Sequence, residues 1–119
     1  MVPHKRFMLF KKWCEHYRKL LGIMNWDFKY KHELLDEDNQ ASVNTNYVGK
    51  MATIWLNKKY SLRQSDLRNT ALHEIIHVFL AESICISSSR FITQEELDSQ
   101  HEKDVIHLTR VIRELERRT

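Results

Sequence analysis

His73 and His77 stand four residues apart, with Glu74 directly after the first of them. On a helix that spacing sends both imidazoles out from one face, one turn apart, where they can meet a single metal ion. Glu74 is rotated by about 100° from His73, which sets its carboxylate beside a water on that ion without making it a ligand. That is the place of a general base. The implied chemistry is metal-assisted hydrolysis, with Zn2+ as the expected ion. With 7 His in 119 residues, chance yields the His-Glu-x-x-His pattern roughly 0.03 times in a chain of this composition, so the pattern carries weight. Two imidazoles and a carboxylate within an apolar helix also need partners. A metal with its surrounding hydrogen bonds is one way to supply them, and neutral imidazoles hydrogen-bonded in the core are the other.

Catalytic zinc usually has three protein ligands and a water, so a third ligand is expected downstream on another element. His101, Glu102, Asp104 and His107 lie close together there. On a helical wheel His101 and Asp104 fall near the centre of the apolar stripe and Glu102 at its edge, so periodicity favours His101. An oxyanion would need a further donor, and Tyr47, Tyr60, His101 and His107 are the candidates.

These residues need a frame. Phe7, Phe10, Trp13, Cys14, Tyr17, Leu20 and Leu21 recur at three- and four-residue spacing before Gly22, which predicts a helix over residues 4–21. Trp26 to Tyr30 alternates aromatic with charged residues, as a strand does. Ala41 to Val48 and Met51 to Leu56 flank Gly49-Lys50, a hairpin connection, and together the three strands predict a small antiparallel meander. Met51–Leu56 is apolar on both faces, which predicts cover on both sides. Residues 65–84 form the central helix, apolar nearly all round. Thr93-Gln94-Glu95-Glu96 then reads as a capping box opening a last helix that runs to about Arg117. In that helix Leu97, Val105, Leu108, Val111, Ile112 and Leu115 form the stripe, and Arg110, Arg113, Glu114, Glu116, Arg117 and Arg118 a solvated face. The fold class is α+β, a single domain over residues 1–119.

Hydrophobic residues make up 42% and charged residues 29%, and two Gly and one Pro leave little room for linkers; no repeat period suggests a solenoid. The formal charge of +3 is spread out, with denser clusters at Lys5–Lys19 and Arg110–Arg118. No recognition helix or zinc ribbon accompanies it, so a nucleic-acid partner is not expected and a peptide or protein substrate is. Cys14 and Cys85 belong to no CxxC pair, which argues against a disulfide framework or a cysteine metal site. No stretch approaches membrane-spanning length, and Phe7-Met8-Leu9-Phe10 is too short for a signal segment, so a cytoplasmic protein is expected.

The strand Ala52-Thr53-Ile54-Trp55-Leu56 followed by Thr70-Ala71-Leu72-His73-Glu74-Ile75-Ile76-His77 resembles the compact HExxH zinc metallopeptidases of the zincin group. The resemblance extends notably to the phage-type, SprT-like, ImmA/IrrE-like and minimal gluzincin proteins, over roughly residues 50–115. The resemblance implies a zinc peptidase in which Glu74 is the base. It also implies a third ligand of the glutamate type on the next helix, where Glu102-Lys103-Asp104-Val105-Ile106 looks like the matching segment and marks Glu102. It further implies an exposed strand edge pairing with extended substrate, for which Met51–Leu56 is the expected segment; cleavage preference would depend on subsite loops, expected around residues 57–64 and 83–93. Val78-Phe79-Leu80-Ala81-Glu82 after His77 lacks the Gly and third His of the metzincins.

Overall fold

The computed structural model describes residues 3–36, 38–60, 62–81 and 93–118. Helix α1, Pro3–Leu20, buries Phe10, Cys14 and Tyr17 from the predicted stripe and leaves Leu20 exposed. It stops where the sequence implies. Gly22 takes a φ of +73°, the Gly22 amide donates to the Lys19 carbonyl and the Ile23 amide donates to the Arg18 carbonyl. This pair of bonds is the Schellman closure that a left-handed residue permits. The Arg18 guanidinium then pins the chain beyond the turn, donating to the Trp26 carbonyl at 2.6 Å.

Strands β1 (Asp27–Glu33), β2 (Ala41–Asn46) and β3 (Met51–Asn57) form one sheet in the order β1-β3-β2. The antiparallel meander is corrected here. β2 and β3 are antiparallel, with Ala41 opposite Leu56, but β1 runs parallel to β3, with Asp27 opposite Met51. The physical reason lies in composition. Ala52, Ile54 and Leu56 make β3 the most buried strand, while β1 and β2 carry Lys, His, Asp and Asn residues that suit borders. Of the cover by helices or a bound ligand expected on both faces of β3, the described residues supply one side. Met51, Thr53 and Trp55 on its other face are partly covered or exposed, and the Lys31 ammonium lies 5.7 Å from the Trp55 ring centre.

Placing β1 and β2 on opposite borders forces their connection across the end of β3, and Asn57 holds it there. Its Oδ1 accepts from the amides of Leu35 and Lys59, and its Nδ2 donates to the Asn39 carbonyl at 2.9 Å. Asn57 is fully buried, so these bonds satisfy a polar side chain that would otherwise be costly. The crossing ends at Gln40 and Ala41, next to the central helix.

That helix, α2, spans Gln64–Phe79, shorter than the predicted 65–84, of which residues 82–84 lie outside the described set. It is anchored by buried Leu67, Ala71, Leu72, Ile75, Ile76 and Val78, while Phe79 is exposed. Helix α3 spans Gln94–Arg117 and begins as expected, the Thr93 hydroxyl accepting from the Glu96 amide at 3.1 Å. Among the described residues the return bond from the Glu96 carboxylate is not made. Val105 is the residue α3 buries fully, with Leu108 and Ile112 packed beside it. Arg113 and Glu116 do not belong to a solvated face. Their side chains are 15% and 21% exposed and turn toward α1 and α2.

Candidate metal centre

The His-Glu-x-x-His segment lies inside α2, and its buried neighbours fix which way the imidazoles point. Val105 does the same for α3. Glu102 is three residues before it, on the turn that faces α2. The consequence is convergence: one ligand atom each from His73, His77 and Glu102 lie within 4.8 Å of one another. His73 Nε2 and His77 Nε2 are 3.3 Å apart. The two Glu102 oxygens lie 2.9 Å from His73 Nε2 and 3.2 Å from His77 Nε2.

These separations fit a metal. Two donors each about 2.0–2.1 Å from one tetrahedral ion stand about 3.3 Å apart. The exposures also fit, since the imidazoles are 29% and 17% exposed and the Glu102 side chain 47%, which leaves an open side. The group could hold a metal ion.

His101 also reaches the site, but not as a ligand atom in that group. Its Nε2 lies 2.7 Å from His77 Nδ1. If His77 presents the Nε2 lone pair to an ion, its proton sits on Nδ1 and is donated to His101, whose own proton is then on Nδ1. Burial pushes the His77 imidazole down to about 4; the Glu102 charge opposes this, and His73 and His101 add to it. Burial lowers His101 as well, against the nearby carboxylates of Glu102, Asp104 and Asp98. Both rings are thereby kept neutral near pH 7, the form in which imidazole binds metals.

Glu74 is 6% exposed and lies on the α2 turn beside His73. It lines a hollow of about 310 Å³ together with His73, Asn69, Thr70, Thr109, Gln40 and Ala41. On its inner side is Cys14, whose thiol is raised by burial first, then by the Glu74 and Glu15 charges. Gln40 is delivered by the crossing that Asn57 holds, and its side chain accepts from the Thr70 hydroxyl at 3.3 Å.

No family model, curated protein or solved structure matches this chain.

Of the four expected oxyanion donors, His101 alone is brought to the metal group. The Tyr60 hydroxyl donates to the Asp38 carbonyl, Tyr47 packs under Lys50, and His107 lies on the outer side of α3 beside Val111 and Leu115. Asp104 accepts from Gln100 one turn earlier. The strand expected to pair with substrate is corrected also, because β3 is paired on both sides; the border next to His73 and Glu74 is β2. Gln40, Asn69 and Thr109 at the hollow were not foreseen. Asn69 had a signal, being one turn before His73 on the same helix face; Gln40 had none, since only the crossing brings it there. Cys85 and the expected specificity segment at 83–93 lie outside the described residues, save Thr93.

No helix of the described residues is long and apolar enough to cross a membrane.

Proposed function

We propose that this chain is a zinc-dependent peptidase in which His73, His77 and Glu102 hold the ion and Glu74 is the general base. What carries the reading is the convergence of the three ligand atoms within 4.8 Å beside a carboxylate that lines the adjoining hollow. Two imidazole nitrogens and a carboxylate oxygen form a donor set that suits Zn2+. When bound, such an ion acidifies a water and polarises a peptide carbonyl. Glu74 accepts the proton as the water oxygen adds to the carbonyl carbon. It then returns the proton to the amine nitrogen as the carbon–nitrogen bond breaks, so no net proton is consumed at the carboxylate. His101 keeps His77 oriented throughout. The border of β2, unpaired by any strand among the described residues, offers main-chain groups to an extended substrate, a contact that gives affinity with little side-chain selection.

A second reading keeps the metal and drops the catalysis. It is favoured by how little else ties the first half of α3 to the body, Val105 being its one fully buried residue among those described. A metal joining His73 and His77 to Glu102 would then brace two helices for partner binding.

Elemental analysis decides whether there is a metal, and the Glu74→Gln variant decides between the readings. The expected result is one zinc per chain in the wild type, lost in His73→Ala and Glu102→Ala and retained in Glu74→Gln. Peptide hydrolysis, followed by mass spectrometry on a mixed peptide pool, is expected to disappear in Glu74→Gln. Zinc retention with no hydrolysis by the wild type favours the brace, and absence of metal from zinc-supplied protein overturns both.

A further inference from the structure

A groove runs from the metal group along the seam between α2 and α3. His73 and Asn69 form one wall, and Ile106, Arg110, Arg113 and Arg117 line the other, enclosing about 420 Å³. Glu102, Ile106, Arg110, Arg113 and Arg117 follow one another at three- and four-residue intervals, so a single face of α3 carries a metal ligand and then three guanidinium groups.

The charge along this groove is offset only in part. Glu114 is the carboxylate in its lining, and it is engaged by Arg117 and Arg118 at 3.5 and 3.4 Å. Arg110 has no hydrogen bond or ion pair among the described residues and is exposed. Arg113 is the positioned member. Its Nε donates to Asn69 Oδ1 at 2.7 Å and its Nη1 to Glu116 at 3.0 Å, while Nη2 makes no hydrogen bond among the described residues. Glu116 is itself shared with Arg68 at 2.6 Å, so one carboxylate serves two arginines.

We infer that the groove is a specificity subsite for a substrate carboxylate. The inference rests on the peptidase reading of the adjoining centre. Asn69 precedes His73 by one turn, about 6 Å of helix. An extended peptide advances about 3.3 Å per residue, so the carboxylate belongs to a residue roughly two to four positions from the scissile bond. Planar guanidinium forks in series suit a carboxylate. The short stripe, interrupted by Glu114, is less suited to a phosphate backbone, which wants a continuous basic track. The carboxylate is either an Asp or Glu side chain or the terminal carboxylate of the peptide.

The test measures binding, so that it does not depend on turnover. Zinc-loaded Glu74→Gln protein is titrated into short fluorescein-labelled peptides that differ only in Glu, Gln or Lys at those positions, each made with a free and an amidated C-terminus. Anisotropy is expected to show the Glu peptide bound about tenfold more tightly than the Gln peptide. The exposed pair Arg110→Glu/Arg117→Glu, with its zinc content unchanged, is expected to reverse the order in favour of Lys. A preference that survives amidation assigns the carboxylate to a side chain, and one that follows the free terminus assigns it to the chain end. Equal binding of the three sequences with both end groups overturns the inference, as does an order unaltered by charge reversal, or displacement of the acidic peptide by a single-stranded oligonucleotide at lower concentration. Wild-type hydrolysis without charge preference removes the subsite and leaves the peptidase. An acidic preference without hydrolysis keeps the subsite and removes the peptidase.

Discussion

At the residue scale, the least expected arrangement is that adjacent residues of α3 meet the candidate centre in different ways. Periodicity favoured His101 as the ligand because it sits near the middle of the apolar stripe. The resemblance to glutamate-type zincins marked Glu102, and Glu102 is the residue whose oxygens meet His73 and His77. Both were legible as candidates; their roles were not, because a helical wheel gives direction around one helix and says nothing of where the other helix stands. His101 faces the back of the His77 ring, at 2.7 Å, and under the proposed reading it orients that ring. Replacing it with Ala is expected to weaken zinc affinity by about 10- to 100-fold, read by competition with a chromophoric chelator. Asn, which can still offer an acceptor oxygen, is expected to recover part of the loss. Equal affinities in wild type and His101→Ala would remove its positioning role. Cys14 is predicted from the same scale of argument. Its thiol is fully buried and raised by burial and by Glu74, so peptide mapping after iodoacetamide treatment of folded protein is expected to find it unmodified. Alkylation of Cys14 at a rate comparable to the denatured protein would contradict that burial.

At the scale of elements, sequence periodicity places α1, α2 and α3 close to where they lie, since each has an apolar stripe and a recognisable start or stop. It failed on the sheet. The apolar run in β3 predicts cover on both faces but marks a central position in the sheet, and strand order is not encoded in alternation. Asn57 is the element-level residue with the most to lose. Among the described residues, three of its hydrogen bonds hold the β1–β2 crossing over the end of β3, and that crossing carries Gln40 to the hollow beside Glu74. Asn57→Ala leaves two amides and a carbonyl to find new partners. The expected cost is about 2–3 kcal/mol in urea denaturation, with faster amide exchange at Leu35. A variant as stable as wild type would show that water replaces the side chain without penalty.

At the scale of the whole molecule, one carboxylate joins α1, α2 and α3. Glu116 on α3 accepts from the Tyr17 hydroxyl of α1, at 3.0 Å, and from Arg68 of α2, at 2.6 Å, while Arg113 of α3 itself closes the group at 3.0 Å. Arg68 also donates to the Tyr17 oxygen and lies 4.1 Å from the Trp13 ring centre. In the sequence Glu116 was one more charge on a basic helix end, because nothing local reveals that its partners lie 48 and 99 residues away. Burial alone would raise its pKa, but the hydrogen bonds from Arg113, Arg68 and Tyr17 outweigh that and hold it below the usual carboxylate range. A carboxyl lowered in the folded state favours folding in its charged form. Its contribution is therefore complete above the unfolded value, near 4.5, and is lost as pH falls through the lower folded value. Glu116→Gln keeps the shape and removes the charge, so its thermal midpoint is expected to lie below wild type at about pH 6 and to approach it at about pH 3. Because the carboxylate links α1, α2 and α3, both proteins are expected to unfold in one transition seen alike by far-ultraviolet circular dichroism and tryptophan fluorescence. A gap between the midpoints that stays constant with pH would mean that packing of the side chain, and not its charge, is what the three helices share.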